Sequence, residues 1–502
     1  MFDRLFAAGA PEALAIEAPK RSYSYGDLLA ETGRYAQAIA DLGVAPGDRV
    51  VAQIEKSAAG VILFLACVRA GAVLVPLNTA YTLAELAYFI GDAQPALIVC
   101  DPARCEAVAA IAADARIETL DGAGEGSLSV LAETSATQFE TIARGGEDLA
   151  AICYTSGTTG RSKGAMLTHR ALASNAETLT ALWRFTADDV LIHALPIFHV
   201  HGLFVAVNVT LMAGAAMILQ PKFDAETVLA AMPRATAMMG VPTFYTRLLA
   251  SERLTRELAG PMRLFISGSA PLLAGTHQQW AQRTGQAILE RYGMTETGMN
   301  ASNPYEGARL AGTVGQALPG IQMRIASEAD GGAVGQGEIG VVEVRGPNLF
   351  AGYWRDPEKT RAAFTADGWF KTGDLGYFDT GGYLRLVGRG ADLIITGGLN
   401  VYPAEVEDAI DATPGVVESA VIGLPHADFG EAVTAVVVAS EPAPTEQAIL
   451  SALEQRLAGF KRPRRILFVA ALPRNAMGKV IKASLRQTHA QLYAANGPEM
   501  SG

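Results

Sequence analysis

The sequence predicts an α/β fold: a large N-terminal domain of mainly parallel sheets flanked by helices and joined to a β-rich subdomain, followed by a small α+β C-terminal domain. Three observations predict it. Apolar strand-like segments alternate with helix-like segments from residue 24 to residue 267, as parallel sheets require. Short Gly-, Val- and Asp-rich segments with regular turn signals then follow from about residue 312. A compact helix-strand-strand-helix pattern closes the chain.

The apolar periodicity places each element in turn. The first region contains predicted helices at Ser24–Leu42, Ala58–Arg69 and Leu83–Gly91, and predicted strands at Arg49–Gln53, Ala72–Pro76 and Ala96–Cys100. The second contains helix His169–Trp183 and strands Asp189–Ala194, Ala216–Leu219, Ala237–Gly240 and Met262–Ser267. The C-terminal domain contains helix Pro403–Asp411, strands Val416–Gly423 and Ala432–Ala439, and helix Thr445–Leu457. We expect a large domain over 1–388, with its β-rich subdomain at about 312–388, and a small domain over 389–502.

Composition narrows the classes of function. Half of the 502 residues are hydrophobic, 18% are charged and the formal net charge is −11, which argues against disorder and against a nucleic-acid partner. The four cysteines form no C-x-x-C pair, as expected of reduced thiols in a cytoplasmic protein. The N-terminus does not resemble a secretory signal. The apolar stretch 59–77 is divided by Arg69, Gly71 and Pro76, so we expect no membrane association.

A loop rich in glycine and hydroxyl side chains is the most prominent local feature. Residues 155–164 read T-S-G-T-T-G-R-S-K-G and follow the apolar run Leu149–Tyr154. Hydroxyls donate to phosphate oxygens, glycines allow close backbone approach, and Lys163 adds a positive charge. The loop lacks G-K-[ST] and is therefore not a Walker motif. Taken alone, a stretch of this composition is by default a flexible surface turn, so the loop is interpreted together with the other segments.

Further segments occur with this loop in a fixed order. They are Tyr292–Glu296, Thr372–Asp374, Gly388-Arg389, Gly397–Glu405 and Pro473–Lys479. Together with the loop they resemble the AMP-forming acyl-CoA synthetases of the adenylate-forming superfamily, over nearly the whole chain. The resemblance implies a ligase that uses ATP, Mg²⁺ and coenzyme A, and a C-terminal domain that moves as a lid.

The resemblance also implies roles for individual residues around ATP. Glu296 would hold Mg²⁺, Thr295 would bond the α-phosphate, and Lys479 would bridge the reacting carboxylate and the α-phosphate as a catalytic lysine. The other expected nucleotide-binding residues are Thr155, Ser156, Gly157, Thr158, Thr159, Gly160 and Lys163 at the β- and γ-phosphates, Tyr292, Gly293, Ser269 and Ala270 around adenine, and Asp374 and Arg389 at the ribose.

A second half-reaction would follow rotation of the small domain about a hinge near Ala391. Gly397 and Gly398 would then line the channel for the pantetheine of coenzyme A. Many relatives have Asp or Lys at the hinge, but alanine should still turn, because a hinge needs soft backbone angles. Acetylation of Lys479 by a lysine acetyltransferase would remove its charge and suppress adenylation.

The acid substrate is predicted from the residue beside Tyr292, which the resemblance places at adenine. Arg291 offers a planar fork that can hold a second carboxylate, and the surrounding segments resemble the malonyl-CoA synthetase branch. The predicted acid-binding residues are Arg291, Arg247, Ser269, His199, His201 and Met299, with His199 near the reacting carboxylate.

Several alternatives stay open at this point. Arg291 could instead pair with Glu290, and Arg247 could be a helix-surface charge. The acid could be methylmalonate or another short acid, and the acceptor could be a carrier-protein thiol in place of coenzyme A. The chain could also be a non-catalytic nucleotide-binding regulator.

Overall fold

The computed structural model describes residues 1–155, 162–397, 399–426, 428–454, 456–475 and 478–493. The first twelve strands are β1 (Leu14–Glu17), β2 (Ser22–Ser24), β3 (Arg49–Gln53), β4 (Val73–Pro76), β5 (Leu97–Cys100), β6 (Arg116–Thr119), β7 (Leu149–Thr155), β8 (Lys163–Thr168), β9 (Val190–His193), β10 (Ala216–Leu219), β11 (Ala237–Gly240) and β12 (Leu264–Ser267). Twelve more follow: β13 (Leu289–Met294), β14 (Gly298–Ser302), β15 (Gln316–Ala317), β16 (Gln322–Ala326), β17 (Gly340–Arg345), β18 (Phe370–Phe378), β19 (Leu384–Arg389), β20 (Ile394–Thr396), β21 (Leu399–Val401), β22 (Val416–His426), β23 (Gly430–Ala439) and β24 (Arg465–Phe468).

Helices connect most of these strands. They are α1 (Phe2–Phe6), α2 (Tyr25–Asp41), α3 (Ala58–Ala70), α4 (Leu83–Ala93), α5 (Cys105–Ala109), α6 (Ser127–Thr134), α7 (His169–Leu182), α8 (Asn208–Met212), α9 (Ala225–Ala231), α10 (Pro242–Leu249), α11 (Ala274–Thr284), α12 (Pro357–Ala363), α13 (Pro403–Asp411), α14 (Glu446–Glu454) and α15 (Lys482–His489). A π-helix at His201–Val207 leads into α8.

Two mainly parallel sheets form the large part of the molecule, which confirms the predicted fold class. One has six strands in the order β6-β5-β3-β4-β7-β8, and the other has nine in the order β15-β14-β13-β12-β11-β9-β10-β1-β2. Only β8 runs against the other strands in the first sheet. In the second sheet β2 and β14 run against the others, and β15 pairs antiparallel with β14. The carboxyl ends of parallel strands are where α/β proteins usually bind ligands.

The apolar stretch near residue 60 forms an interior helix. Ser57 caps α3, Gly71 ends it in the left-handed conformation, and every residue of the helix is buried. The Phe64 ring contacts Phe204 of the π-helix, with centroids 5.3 Å apart. Burial on all sides explains the unbroken apolar pattern. None of the helices in the described part of the chain is both long and apolar enough to cross a bilayer.

Two smaller sheets follow. Strands β16 to β19 form a four-stranded antiparallel sheet within the predicted β-rich segment, and β20 to β24 form a five-stranded sheet carrying α13 to α15. The strands of the long hairpin β22–β23 extend beyond their predicted bounds. Their end residues, among them Pro425, His426 and Glu431, pair across the hairpin but show no apolar alternation in the sequence.

The predicted apolar strand before the glycine-rich loop is observed as β7, whereas the strand after the loop, β8, was not predicted. Strands β7 and β8 pair antiparallel, and Lys163 lies opposite Thr155. The sequence analysis also missed β1, β2 and helices α9 to α11. Strands β1 and β2 and helices α9 and α10 have at most eight residues and carry little periodicity, whereas α11 is as long as the predicted helix α4.

Candidate active site

Strand β13 carries a predicted acid-binding residue beside a predicted nucleotide-binding residue. Arg291 and Tyr292 are neighbours on this strand, and Glu296 lies in the turn to β14. At Gly293, a Cβ would lie 2.0 Å from the carbonyl oxygen of Gly298. The hairpin backbones therefore approach more closely here than any side chain would permit.

Tyr292 and Asp374 meet across 82 residues of sequence. The Tyr292 hydroxyl donates to Oδ2 of Asp374 at 2.5 Å, and Nε of Arg389 lies 3.0 Å from Oδ1. Asp374 and Arg389 face each other on β18 and β19. Three of the six residues predicted around adenine and ribose therefore form one cluster.

Lys479 faces this cluster from the C-terminal segment. Burial, followed by the positive charge of Arg389, lowers the pKa of the Lys479 ammonium, while the carboxylate of Asp374 raises it. At the adjacent Gly478, a Cβ would lie 2.8 Å from the Thr243 hydroxyl on α10. Gly478 thus packs against the large part of the molecule, and the Lys479 side chain lies within the field of the nucleotide cluster.

Glu296 and Lys163 are linked by a residue that the sequence analysis missed. The Tyr353 hydroxyl donates to Oε1 of Glu296 at 3.1 Å, and the Lys163 ammonium lies 5.1 Å from the centre of the Tyr353 ring. Both Glu296 and Tyr353 are buried. In the sequence, Tyr353 is marked only as an aromatic residue directly after Gly352, which is weak evidence for a functional residue.

Arg291 lies in the interior, and no described residue forms an ion pair with it. Its side chain is 3% exposed, and its Nε and Nη2 atoms have no hydrogen-bond partner. Burial lowers the pKa of this guanidinium to about 9. The group packs on Gly268, where a Cβ would lie 2.5 Å from its Cζ. A buried cation with free donors is costly, so this arrangement suits an anionic ligand.

The predicted alternative for Arg291 was a salt bridge to Glu290. In the described part of the chain Arg291 takes part in no such bridge. Successive residues of a strand point to opposite faces, so Glu290 is buried apart from Arg291 and burial raises the pKa of its carboxyl group to about 8. The alternative is wrong for this reason.

Two histidines lie within the field of Arg291. The His201 backbone N–H donates to Nδ1 of His199 at 3.2 Å, and Nδ1 of His201 lies 3.3 Å from the Ser269 hydroxyl. Burial and the charge of Arg291 lower the pKa of His199 to about 4 and depress that of His201 further. Both rings are therefore neutral near pH 7. Ser269 has a left-handed backbone, with φ of 72°, and Nε2 of His201 has no partner.

The remaining predicted residues are placed as follows. Met299 is buried on β14, where its backbone is held by Asn175. Arg247 is exposed on α10, so the structure does not bring it to the buried cluster of Arg291. Thr295 precedes Glu296 in the turn, Ala270 follows Ser269, and Gly397 lies exposed between β20 and β21. Ser156, Gly157, Thr158, Thr159, Gly160 and Gly398 lie outside the described residues.

The chain is similar to two family models, to named CoA ligases and to solved structures. A family model described as AMP-binding enzyme matches residues 4–354, and one described as AMP-binding enzyme C-terminal domain matches residues 405–479. The chain is 36% identical to a malonate–CoA ligase of Arabidopsis thaliana, covering 96% of this chain and 87% of the relative. It is also 36% identical to an indoleacetate–CoA ligase of Aromatoleum aromaticum, covering 95% of each. Among solved structures, ATP-bound MatB from Rhodopseudomonas palustris is 58% identical and superposes with a TM-score of 0.97, covering 98% of this chain and 99% of that one.

Proposed function

Because the chain belongs to the AMP-binding enzyme family, we propose that it catalyses the ATP-dependent, AMP-forming ligation of malonate to coenzyme A. The observation that carries this proposal is the buried, unpaired guanidinium of Arg291. An acid with one carboxylate leaves that cation without a partner, whereas the second carboxylate of malonate supplies one. The malonate and indoleacetate ligases named above are both 36% identical to this chain, so those two relatives alone do not select the acid. The higher identity to MatB, a malonyl-CoA synthetase, at 58%, supports malonate.

In the first half-reaction a carboxylate oxygen of malonate attacks the α-phosphorus of ATP. The new O–P bond forms as the bond to the bridging oxygen breaks, so pyrophosphate leaves with that electron pair and malonyl-adenylate remains. Catalysis consists mainly of positioning and charge stabilisation. We assign Lys479 to the bridge between the carboxylate and the α-phosphate, with Thr295 as a further donor. We assign adenine and ribose to Tyr292, Asp374 and Arg389.

In the second half-reaction the sulfur of coenzyme A attacks the acyl carbon. The C–S bond forms, the bond from the acyl carbon to the phosphate oxygen breaks, and AMP leaves while the thiol loses its proton. Lys479 must withdraw for the thiol to enter. We therefore propose a rotation of the C-terminal domain near Ala391, which lies exposed between β19 and β20, with Gly397 and Gly398 entering the site.

The acid pocket is assigned from the same geometry. Arg291 holds the distal carboxylate, His199 borders the reacting carboxylate, and Ser269 and His201 close the pocket beside Arg291. Methylmalonate is the alternative acid. One methyl group changes binding by only about 1–3 kcal/mol, so both acids can enter a site organised around one guanidinium.

Mg²⁺ fits the residues present. No group of three or more acidic, histidine or cysteine side chains able to hold a metal was found among the described residues. Mg²⁺ bound with ATP typically takes only one or two carboxylates and completes its shell with phosphates and water. The buried carboxylate of Glu296 supplies one such ligand. When bound, the ion would neutralise charge on the phosphates.

Tyr353→Phe tests the link between Glu296 and the phosphate site. The variant keeps the ring beneath Lys163 but removes the hydrogen bond that orients Glu296. Because a hydrogen bond to a charged group contributes about 1.5–3 kcal/mol, we expect the Mg²⁺-dependent gain in affinity for a non-hydrolysable ATP analogue to fall by at least about tenfold. Calorimetric titration with and without Mg²⁺ measures this gain.

The matched control is Tyr383→Phe, since the Tyr383 hydroxyl donates to the carbonyl of Ala308 away from the site. It should leave both titrations unchanged. Equal loss of affinity with and without Mg²⁺ in Tyr353→Phe would contradict the assigned role.

Product analysis tests the proposed reaction. Incubation with malonate, ATP, Mg²⁺ and coenzyme A should yield malonyl-CoA, AMP and pyrophosphate in equal amounts. Formation of ADP and phosphate, or no thioester, would overturn the proposal. Omission of coenzyme A should still allow exchange of labelled pyrophosphate into ATP, because the first half-reaction does not need the thiol.

A further inference from the structure

A buried lysine that the mechanism does not use lies beneath the acid site. Lys56 is three positions beyond the end of β3 and its side chain is 6% exposed. Its ammonium donates to Nδ1 of His193 at 2.8 Å and to the His193 carbonyl at 2.7 Å. The ion pairs of the described residues do not include Lys56. Strands β3 and β9 belong to different sheets, so this contact joins the two sheets at their carboxyl ends.

The contact fixes the state of His193. This residue ends β9 and is 1% exposed. Because its Nδ1 accepts from Lys56, its Nε2 carries the proton and donates to the Gly202 carbonyl at 2.9 Å. Burial, followed by the charge of Lys56, lowers the pKa of His193 to about 3. The ring is thus a neutral link with one defined tautomer.

Gly202 belongs to the segment that carries the acid-site histidines. It directly follows His201 at the start of the π-helix, and a Cβ at this position would lie 2.0 Å from the Pro196 carbonyl. Two constraints therefore hold this backbone, namely close packing on one side and the His193 hydrogen bond on the other. The orientation of His199 and His201 toward Arg291 depends on both.

A purely structural role explains Lys56 poorly. Burying an ammonium without a carboxylate costs several kcal/mol, and an apolar side chain of similar volume usually stabilises a core at least as well. What the lysine provides and a methionine would not is a pair of directed hydrogen bonds.

We propose that Lys56 is a positioning residue for acid binding. Through His193 it fixes the Gly202 carbonyl, and with it the His199–His201 segment that faces Arg291 and Ser269. This inference rests on the proposed function, since the ligand it positions is the dicarboxylic acid.

The first test is Lys56→Met in the full chain, with the exposed Lys222→Met as control. We expect KM for malonate to rise about tenfold, equivalent to the loss of one buried hydrogen bond. The affinity for ATP, kcat and the midpoint of thermal unfolding should remain near those of the unaltered protein. An unchanged KM would overturn the inference. A parallel fall in ATP affinity and unfolding midpoint would also overturn it, because that result marks a structural lysine.

A second pair of variants isolates the His193 link. The glutamine amide in His193→Gln can reach the Nε2 position and donate to Gly202, whereas the shorter amide in His193→Asn cannot. KM for malonate should rise less in the first variant, which keeps the bond to Gly202 but loses the Nδ1 acceptor of Lys56, than in the second, which loses the bond to Gly202. Equal effects would contradict the proposed link. Absence of malonate turnover in the unaltered protein would instead overturn the proposed function, and this inference with it.

Discussion

Replacing Arg291 by methionine should lower kcat/KM for malonate by about two to three orders of magnitude while leaving ATP binding unchanged. Removing one partner of a buried, hydrogen-bonded charge pair typically costs about 2–5 kcal/mol, and the distal carboxylate of malonate would lose its only assigned cation. Methionine fills much of the same volume and leaves Gly268 uncrowded. Steady-state kinetics with malonate, together with titration of ATP binding, measures both quantities.

The stability of the same variant separates a ligand-binding arginine from a structural one. In the ligand-free protein the guanidinium is buried with two unpartnered nitrogens, so its removal should leave the unfolding midpoint unchanged or raise it. Arg247→Met is the matched control, because Arg247 is exposed, and its kinetics should be nearly normal. Equal losses of malonate and ATP affinity in Arg291→Met, with a lower midpoint, would show that Arg291 supports the fold instead.

Replacing Lys479 by glutamine should slow the first half-reaction and leave the second nearly unchanged. The substitution removes the charge that bridges the carboxylate and the α-phosphate, as acetylation of this lysine would. Loss of one such electrostatic contact typically costs about 10²–10³ in rate. We therefore expect malonate-dependent pyrophosphate release to fall by that factor, while conversion of preformed malonyl-adenylate and coenzyme A to malonyl-CoA proceeds at nearly the normal rate.

Lys482→Gln provides the comparison for Lys479→Gln. Lys482 lies three positions further along the chain and pairs with Glu407, so its loss should affect neither half-reaction strongly. Full pyrophosphate release by Lys479→Gln would contradict the bridging role. Equal loss of both half-reactions would indicate a disturbed domain, which circular dichroism and thermal unfolding would reveal.

The nucleotide cluster was predictable from the sequence because its residues lie in short segments with fixed order. The resemblance implied adenine and ribose roles for Tyr292 and Asp374, which agrees with their proximity in the structure. Arg291 was predicted as an acid-binding residue from its place beside Tyr292. For these residues, the short sequence segment around each one is enough to predict its function.

Other features were not predictable, because they depend on how distant segments pack. The hydrogen bond from Tyr353 to Glu296 and the contact between Lys56 and His193 join residues 57 and 137 positions apart, without any periodic signal. The exposure of Arg247 was likewise decided by which face of α10 packs on the core. The π-helix at His201–Val207 lies in an apolar run whose pattern does not distinguish helix types.

In the proposed function, Arg291 selects an acid with a second carboxylate. The most direct test compares kcat/KM for pyrophosphate release with malonate and with propionate, which has the same carbon chain and a methyl group where malonate has its second carboxylate. Methylmalonate, succinate, acetate, butyrate and octanoate extend the series. We predict that malonate exceeds propionate by at least about two orders of magnitude, with methylmalonate second, since an unpaired buried guanidinium costs several kcal/mol. Turnover of propionate or another monocarboxylate as efficient as that of malonate would contradict the claim.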